Sequence, residues 1–475
     1  MTDSMLMRSA REQLRGLEDR EFSARELLDA HVRRLERFNA TVNAVVSLDL
    51  DRAVDAASEV DSARAAGVAL GPLAGLPMSI KDTHATAGLR TTFGSKLFAD
   101  NVPTADDEIV RRLRAAGVVI LGKTNVPEFA AGSHTYNPVF GTTFNPYDLS
   151  RSAGGSSGGA AAALVMGFQS LADGSDMGGS LRNPASFCNV VGLRPTPGRV
   201  PDPVDALPHF PLSVAGPMAR TVGDVGLMLS VIAGPHDADP MSLTEDPSRF
   251  ADVAPAELRG LRVAWAPTLS GRIPVESEVS SVLDDVVSVF EGHGAQVAHA
   301  CPDLDGADFV FRTLRAAEFE FAWGDVVDGR PDAVKAEIAW NVEQGRGLSG
   351  RDVTRALAEL TRLQRAADTF FDDYDVLLAP VAQLPPFDAS WRWPAEVAGT
   401  TMTTYLDWMA SCYLITPLGV PAMSVPAGFT AQGLPVGVQL VTRARTEARL
   451  LAIAAAFEEA TGHGRRTPPL LDADR

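Results

Sequence analysis

The sequence is short of cysteine, of basic charge relative to acidic charge, and of long apolar runs, and each shortage closes off a class of protein. Three cysteines, Cys188, Cys301 and Cys412, are spread through 475 residues with no C-x-x-C pair. That spacing excludes a disulfide framework and a thiolate zinc site, and the thiols read as buried or half-buried packing groups. Lys and Arg number 42 against 60 Asp and Glu, a formal net charge of −18 at pH 7. A surface of that sign repels phosphate backbones, so nucleic acid is not an expected partner. No stretch reaches the ~20 apolar residues of a membrane helix, and no membrane partner is expected. Residues 1–20 are dotted with Asp, Arg and Glu and lack the apolar core of a secretory signal; the cytoplasm is the expected location.

What is present is the composition of a globular chain, 45% hydrophobic and 21% charged, with enough apolar residues to bury a sizeable core. Ser23 followed by Glu26 forms a capping-box pattern, and Leu27, Leu28, His31, Val32 and Leu35 then recur at helical spacing, predicting a helix over 23–38. Further helices are expected over 51–66, 107–116, 160–166, 279–292, 309–340 and 445–461, the last closed by Gly462. Strands are expected at 78–80, 118–121, 261–266, 376–379 and 435–441. Strand alternating with helix predicts an α/β chain. One domain over 1–475 fits, with a catalytic core at 70–220 and a variable, mainly helical region at 250–350 that forms part of the substrate pocket.

Three segments carry the chemistry. Gly154-Gly155-Ser156-Ser157-Gly158-Gly159 leads straight into an alanine run; its glycines let backbone approach a reacting group, and the following helix points free N–H groups toward it. Gly174-Ser175-Asp176-Met177-Gly178-Gly179-Ser180 places a reachable serine after two glycines. The N–H groups of Met177, Gly178, Gly179 and Ser180 can converge on a developing oxyanion. Lys81 closes the apolar strand Met78-Ser79-Ile80. A buried lysine loses its proton easily and can serve as a base near neutral pH.

In this order, together with Gly122-Lys123-Thr124-Asn125, Phe140-Gly141, Asn145-Pro146, Gly192-Leu193-Arg194-Pro195-Thr196 and Pro435-Val436-Gly437-Val438-Gln439, these segments resemble the amidase signature family. The likeness is densest over 70–220 and returns after about 415. It implies a three-layer α/β/α fold around a mixed, largely parallel sheet. It also implies Ser180 as nucleophile, Ser156 as the serine of a cis peptide, Lys81 as base, Met177 to Ser180 as the oxyanion loop, and backbone contact to substrate at Ala130. Ser175 stands where the family usually has Thr, Leu181 where it has Ile, and Arg194 where it has Lys. The expected activity is hydrolysis of small neutral amides (anilides, alkyl amides or oligoamides, with aryl carbamates, that is urethanes, and esters alongside). Neither metal nor organic cofactor is expected, and the expected state is monomer or homodimer. Candidates for apolar substrate contact are Tyr136, Phe144, Phe187, Trp323, Trp340 and Trp408, with Thr400 to Tyr413 as a further wall.

Other readings compete. Gly117 to Thr124 fits the phosphate-loop spacing, but Val118-Val119-Ile120-Leu121 is a strand rather than an anion cradle. Gly154 to Gly158 fits the nucleophile elbow of a Ser-His-Asp esterase, yet no strand is expected before it and no downstream histidine lies in a telling motif. Asp303, Asp305 and Asp308 lack the Gly and Glu of a calcium loop. The glutaminase component of a tRNA-dependent amidotransferase shares the family and is the remaining alternative.

Overall fold

The computed structural model describes residues 5–472. A small sheet of three strands, β1 (Val45–Leu48), β2 (Pro77–Lys81) and β3 (Val119–Thr124), precedes an eight-stranded sheet. The larger sheet comprises β4 (Leu171–Asp176), β5 (Val191–Arg194), β6 (Val214–Ala219), β7 (Arg262–Trp265), β8 (Gln296–His299), β9 (Val376–Pro380), β10 (Ala422–Phe429) and β11 (Pro435–Val441), in the order β8-β7-β9-β11-β10-β5-β6-β4.

Alternation along these strands divides the core into two layers. Val263, Trp265, Val376, Leu378, Met423, Val425, Val438 and Leu440 pack with Val279, Leu283, Val286 and Phe290 of the helix Ser277–Gly292 and with Leu450, Leu451 and Phe457 of the helix Glu447–Thr461. Ala264, Leu377, Ala379, Ala422 and Val441 face the other way, onto helices at Ala307–Gly329 and Gly350–Asp373 and the segment 402–420. The three-layer α/β/α arrangement is therefore present.

The sheet is mixed, but the expectation that it is largely parallel is corrected. Only β7/β8 and β7/β9 are parallel. The pairs β4/β6, β5/β6, β5/β10, β10/β11 and β9/β11 are antiparallel. Parallel neighbours need a crossover connection, and the helix Ser277–Gly292 supplies one between β7 and β8. A turn at Thr430 to Leu434 instead folds β10 back on β11 as a hairpin, with Gly433 at φ +83°.

The capping box at Ser23 and Glu26 is formed, and its helix runs over Ala24–Val42, four residues beyond the expected end, until Asn43 turns left-handed. The helix over Gly350–Asp373 and strands β1, β4, β5, β6, β8 and β10 were not expected; glycine and proline mask β4, β6 and β10, and the helix expected over 309–340 is two, Ala307–Gly329 and Ala336–Arg346. Val118 to Leu121 is indeed strand, its larger part lying in β3. Among the described residues no helix is long and apolar enough to cross a membrane.

Helix α1 (Gly158–Val165) is buried over its whole length. A methyl on Gly159 would lie 2.3 Å from the backbone nitrogen of Asn125 and 2.6 Å from the carbonyl oxygen of Ala44. Both are fixed backbone, so Gly159→Ala should lower stability by about 2 kcal/mol or more. Thermal denaturation checks this, and a wild-type Tm would refute it.

Candidate active site

Strand β2 delivers Lys81 into the interior, where its side chain is fully buried. Its Nζ donates to Ser156 Oγ at 2.8 Å and to Ser175 Oγ at 2.8 Å. Burial drives the ammonium down to a pKa of about 7, against the opposing pull of the Asp173 and Asp176 carboxylates. The strand is anchored there by its own backbone, since Lys81 N–H donates to Asp173 at 3.0 Å, and the same carboxylate meets His84 Nδ1 at 2.5 Å.

Ser156 follows a cis peptide from Gly155. Ser157 N–H donates to the carbonyl of Ser180 at 3.2 Å, which ties the two glycine-rich segments together. Ser156 and Ser180 open onto one cavity of about 150 Å³, lined also by Ala130, Ser175, Met177 and Gly178. Helix α2 (Arg182–Phe187) begins immediately beyond Ser180.

The loop between β4 and α2 is held by a buried ion pair. Asp176 Oδ1 and Oδ2 accept from Arg182 Nη2 at 2.8 Å and Nε at 2.9 Å, and from the N–H groups of Gly179 at 2.8 Å and Leu181 at 3.1 Å. Arg182 and Arg194 hold the Asp176 carboxyl well below the ordinary range despite its burial. This corrects one expectation. The N–H of Gly179 is turned inward onto Asp176, so its donor is spent on the loop's own scaffold. The N–H groups of Met177, Gly178 and Ser180 find no acceptor among the described residues. Arg182 continues to the carbonyl of Cys412 at 3.0 Å and to Gln439 Oε1 at 2.6 Å, while Thr416 Oγ1 donates to the carbonyl of Met177 at 2.8 Å. Arg182→Met leaves Asp176 buried without its bidentate partner, and a loss of about 3–5 kcal/mol is expected. Denaturant unfolding measures it; an unchanged midpoint would contradict the account.

The cavity wall comes from helix α3 (Ala307–Gly329). Arg315, Glu318, Phe319, Ala322 and Trp323 recur at helical spacing and face the serines, with Phe311 one turn earlier. Trp323 stacks on Phe129 at 4.0 Å between ring centroids. Ala130 lies in the left-handed region at φ +54°. Of the aromatic residues proposed for substrate contact, Trp323 lines the cavity. Phe187 and Trp408 are core, their rings 6.4 Å apart, and Trp340 packs edge-on against Tyr405. Phe144 pairs with Ser152 in a short two-stranded ribbon. Tyr136 stands under the Lys335 ammonium at 5.0 Å. From the 400–413 wall, Met409 reaches the cavity, while Tyr405 accepts from Arg315 Nη2 at 2.7 Å. Phe129, Phe311, Phe319, Arg315 and Glu318 were not singled out beforehand; for the last four the i, i+3, i+4 pattern inside the aromatic stretch 309–340 was the available signal, and for Phe129 there was none.

The competing motifs have other uses. A short strand, Asp148–Ser152, does precede Gly154, contrary to expectation, and the Nδ1 of His134 lies 2.7 Å from Ser152 Oγ. Asp303, Asp305 and Asp308 pair with Arg362, Arg272 and Arg312. Cys188 and Cys412 are buried and free, and Cys301 is half-buried and free.

The family model described as "Amidase" matches residues 26–451. With the fold, this defines the class: a hydrolase acting on carbon–nitrogen bonds other than peptide bonds. Within that class, the chain belongs to the amidase signature family. It is 39% identical over 456 residues to an acylamidase of Rhodococcus erythropolis, covering 95% of this chain and 94% of that one. It is 36% identical over 469 residues to a glutamyl-tRNA(Gln) amidotransferase subunit of a Synechococcus strain, covering 94% of each. Among solved structures it resembles a bacterial aryl acylamidase of the amidase signature enzymes, with TM-score 0.88 and 27% identity over 96% of both chains. It also resembles 6-aminohexanoate cyclic dimer hydrolase, with TM-score 0.87 and 28% identity over 98% of this chain and 99% of that one.

Proposed function

We propose that the chain hydrolyses small neutral amides through an acyl-enzyme on Ser180, with Ser156 as proton relay and Lys81 as base. The observation that carries this reading is a fully buried amine 2.8 Å from Ser156 Oγ, with Ser156 and Ser180 opening on the same cavity. In its neutral form Lys81 accepts the Ser156 proton, and Ser156 accepts the proton of Ser180. Ser180 Oγ then attacks the amide carbonyl, and the N–H groups of Met177, Gly178 and Ser180 are placed to stabilise the tetrahedral oxyanion. The proton returns from Lys81 through Ser156 to the leaving nitrogen as its bond to carbon breaks. Water enters by the same route in reverse, adds to the acyl carbon and frees Ser180.

The aromatic lining from Phe129, Phe311, Phe319 and Trp323 supports anilides and aryl carbamates ahead of aliphatic amides. The likeness to the aryl acylamidase structure supports the same preference. The 36% identity to an amidotransferase component keeps a glutaminase role as the second reading. A hydrolysis screen of the isolated chain over anilides, aliphatic amides, aryl carbamates, esters and glutamine separates them. Turnover of anilides or aryl carbamates is expected; fast glutamine hydrolysis with no aryl-amide activity would overturn the ranking.

A further inference from the structure

A second cavity of about 330 Å³ adjoins the catalytic one and shares Phe129, Ala130, Ser175, Ser213, Glu318 and Trp323 with it. Its charged lining is one-sided. Asp202, Asp205, Asp239 and Glu318 contribute carboxyl groups, His84 contributes an imidazole, and no Lys or Arg takes part. Among the described residues none of the four carboxyls has a basic partner within ion-pair distance. Glu318 is the group that looks into both cavities. Its Oε2 is buried and has no hydrogen-bond partner. Burial and the nearby Asp205 carboxyl raise its pKa to about 7 against the pull of Arg315. An unpartnered acid at the junction of two cavities, backed by three further acids, is a receptor for positive charge.

Orientation follows from proton traffic. The leaving nitrogen must face the hydroxyl that returns its proton, so the leaving group lies on the side of the base. Ser175, whose Oγ accepts from Lys81 Nζ, forms the wall shared by the two cavities on that side. The catalytic cavity also carries the Arg315 guanidinium, over the Phe319 ring at 4.2 Å, so its charged lining is mixed where that of the second cavity is acidic. Among the described residues no group of three or more His, Cys, Asp or Glu is arranged to hold a metal ion.

We infer that the acidic vestibule is the leaving-group subsite, and that it favours amides whose amine portion carries a second, protonated amino group. This rests on the amidase reading and narrows it, from small neutral amides to amides with a neutral acyl end and a cationic amine end. Acidic residues at the mouth then serve twice, drawing the cationic substrate in and giving the freed diamine a path outward.

The test uses three acetanilides with a para substituent of similar size: aminomethyl (cationic), ethyl (neutral) and carboxymethyl (anionic). At low salt kcat/KM should rank cation above neutral above anion, with a cation-to-neutral ratio of about tenfold that shrinks at high salt. Glu318→Gln should pull that ratio toward one. Asp205→Asn, on an exposed loop, should do so in part and covers the case in which the first variant folds poorly. A merely structural role would lower all three substrates in parallel and leave the ratio alone. A wild-type ratio at or below one, or a ratio that neither variant moves, refutes the subsite. Calorimetric binding of 4-aminobenzylamine against 4-ethylaniline reads the same preference without turnover. Loss of all three hydrolyses with that binding preference intact would sink the amidase reading and spare the subsite.

Discussion

Ser180→Ala and Lys81→Ala are each expected to lower kcat/KM on the best amide substrate by on the order of 10⁴-fold or more, since nucleophile and base act as one unit. Ser156→Ala should fall short of that by leaving a slot for water, with a loss on the order of 10²–10⁴-fold. Combining Ser180→Ala with Lys81→Ala should cost scarcely more than either alone. Intact mass spectrometry after mixing with a slowly deacylated aryl carbamate should show an adduct on the parent chain and none on Ser180→Ala. An adduct that survives in Ser180→Ala, or turnover of that variant within tenfold of the parent, would remove Ser180 from the proposed role.

The second large effect is on pH. Lys81 accepts a proton only as a neutral amine, and burial places its titration at about 7. Below that pH kcat/KM should fall tenfold per unit, reaching on the order of 100-fold at pH 5; above it the profile should level. A flat profile between pH 6 and 8, or one that declines with rising pH, contradicts a lysine base. The same shift governs stability. The folded pKa lies below the ordinary 10.5, so between about 7 and 10.5 the unfolded chain binds more protons than the folded one. Stability therefore rises with pH across that window and is lowest, as far as this group is concerned, below 7. Lys81→Met replaces the buried amine by an apolar, unbranched side chain one atom shorter, and should raise the Tm as it abolishes activity. A lower Tm in that variant would indicate that Lys81 is held charged by partners worth more than its desolvation.

Legibility in the sequence followed the reach of the forces involved. Local signals were readable: the capping box at Ser23, the apolar run that became β3, and Gly462 ending the last long helix. The meeting of Lys81 with Ser156, and of Ser156 with Ser180 on one cavity, was legible too, because glycine beside serine and a lysine at a strand end are local patterns. Strands β4 and β10 were hidden, since Gly174, Pro426 and Gly428 speak against strand and only their neighbours in the sheet make them so. The largely parallel sheet failed for a similar reason: strand direction depends on connections such as the 430–434 hairpin turn, which periodicity does not report. Gly179 illustrates the limit within the site. The motif placed it in an expected oxyanion loop, yet the destination of its N–H is decided by Asp176, which Arg182 orients. The motif residues whose roles were opaque form that same frame: Arg194 runs to the carbonyl of Leu212 at 2.8 Å, and Asn145 to that of Phe187 at 2.8 Å.

Arg182 joins the loop after β4 to Gln439, 257 positions further along the chain, and Thr416 bonds to Met177 across 239. The loop carrying Ser180 is thus tied to a strand that leaves the ribosome long after Lys81, Ser156 and Ser180, the side chains proposed for the reaction. Chains arrested during synthesis before that strand emerges should be catalytically silent, and release of the completed chain should switch them on in a single step. Stalled nascent chains of graded length, assayed with a fluorogenic anilide, would reveal whether activity appears at that late point or grows gradually with length.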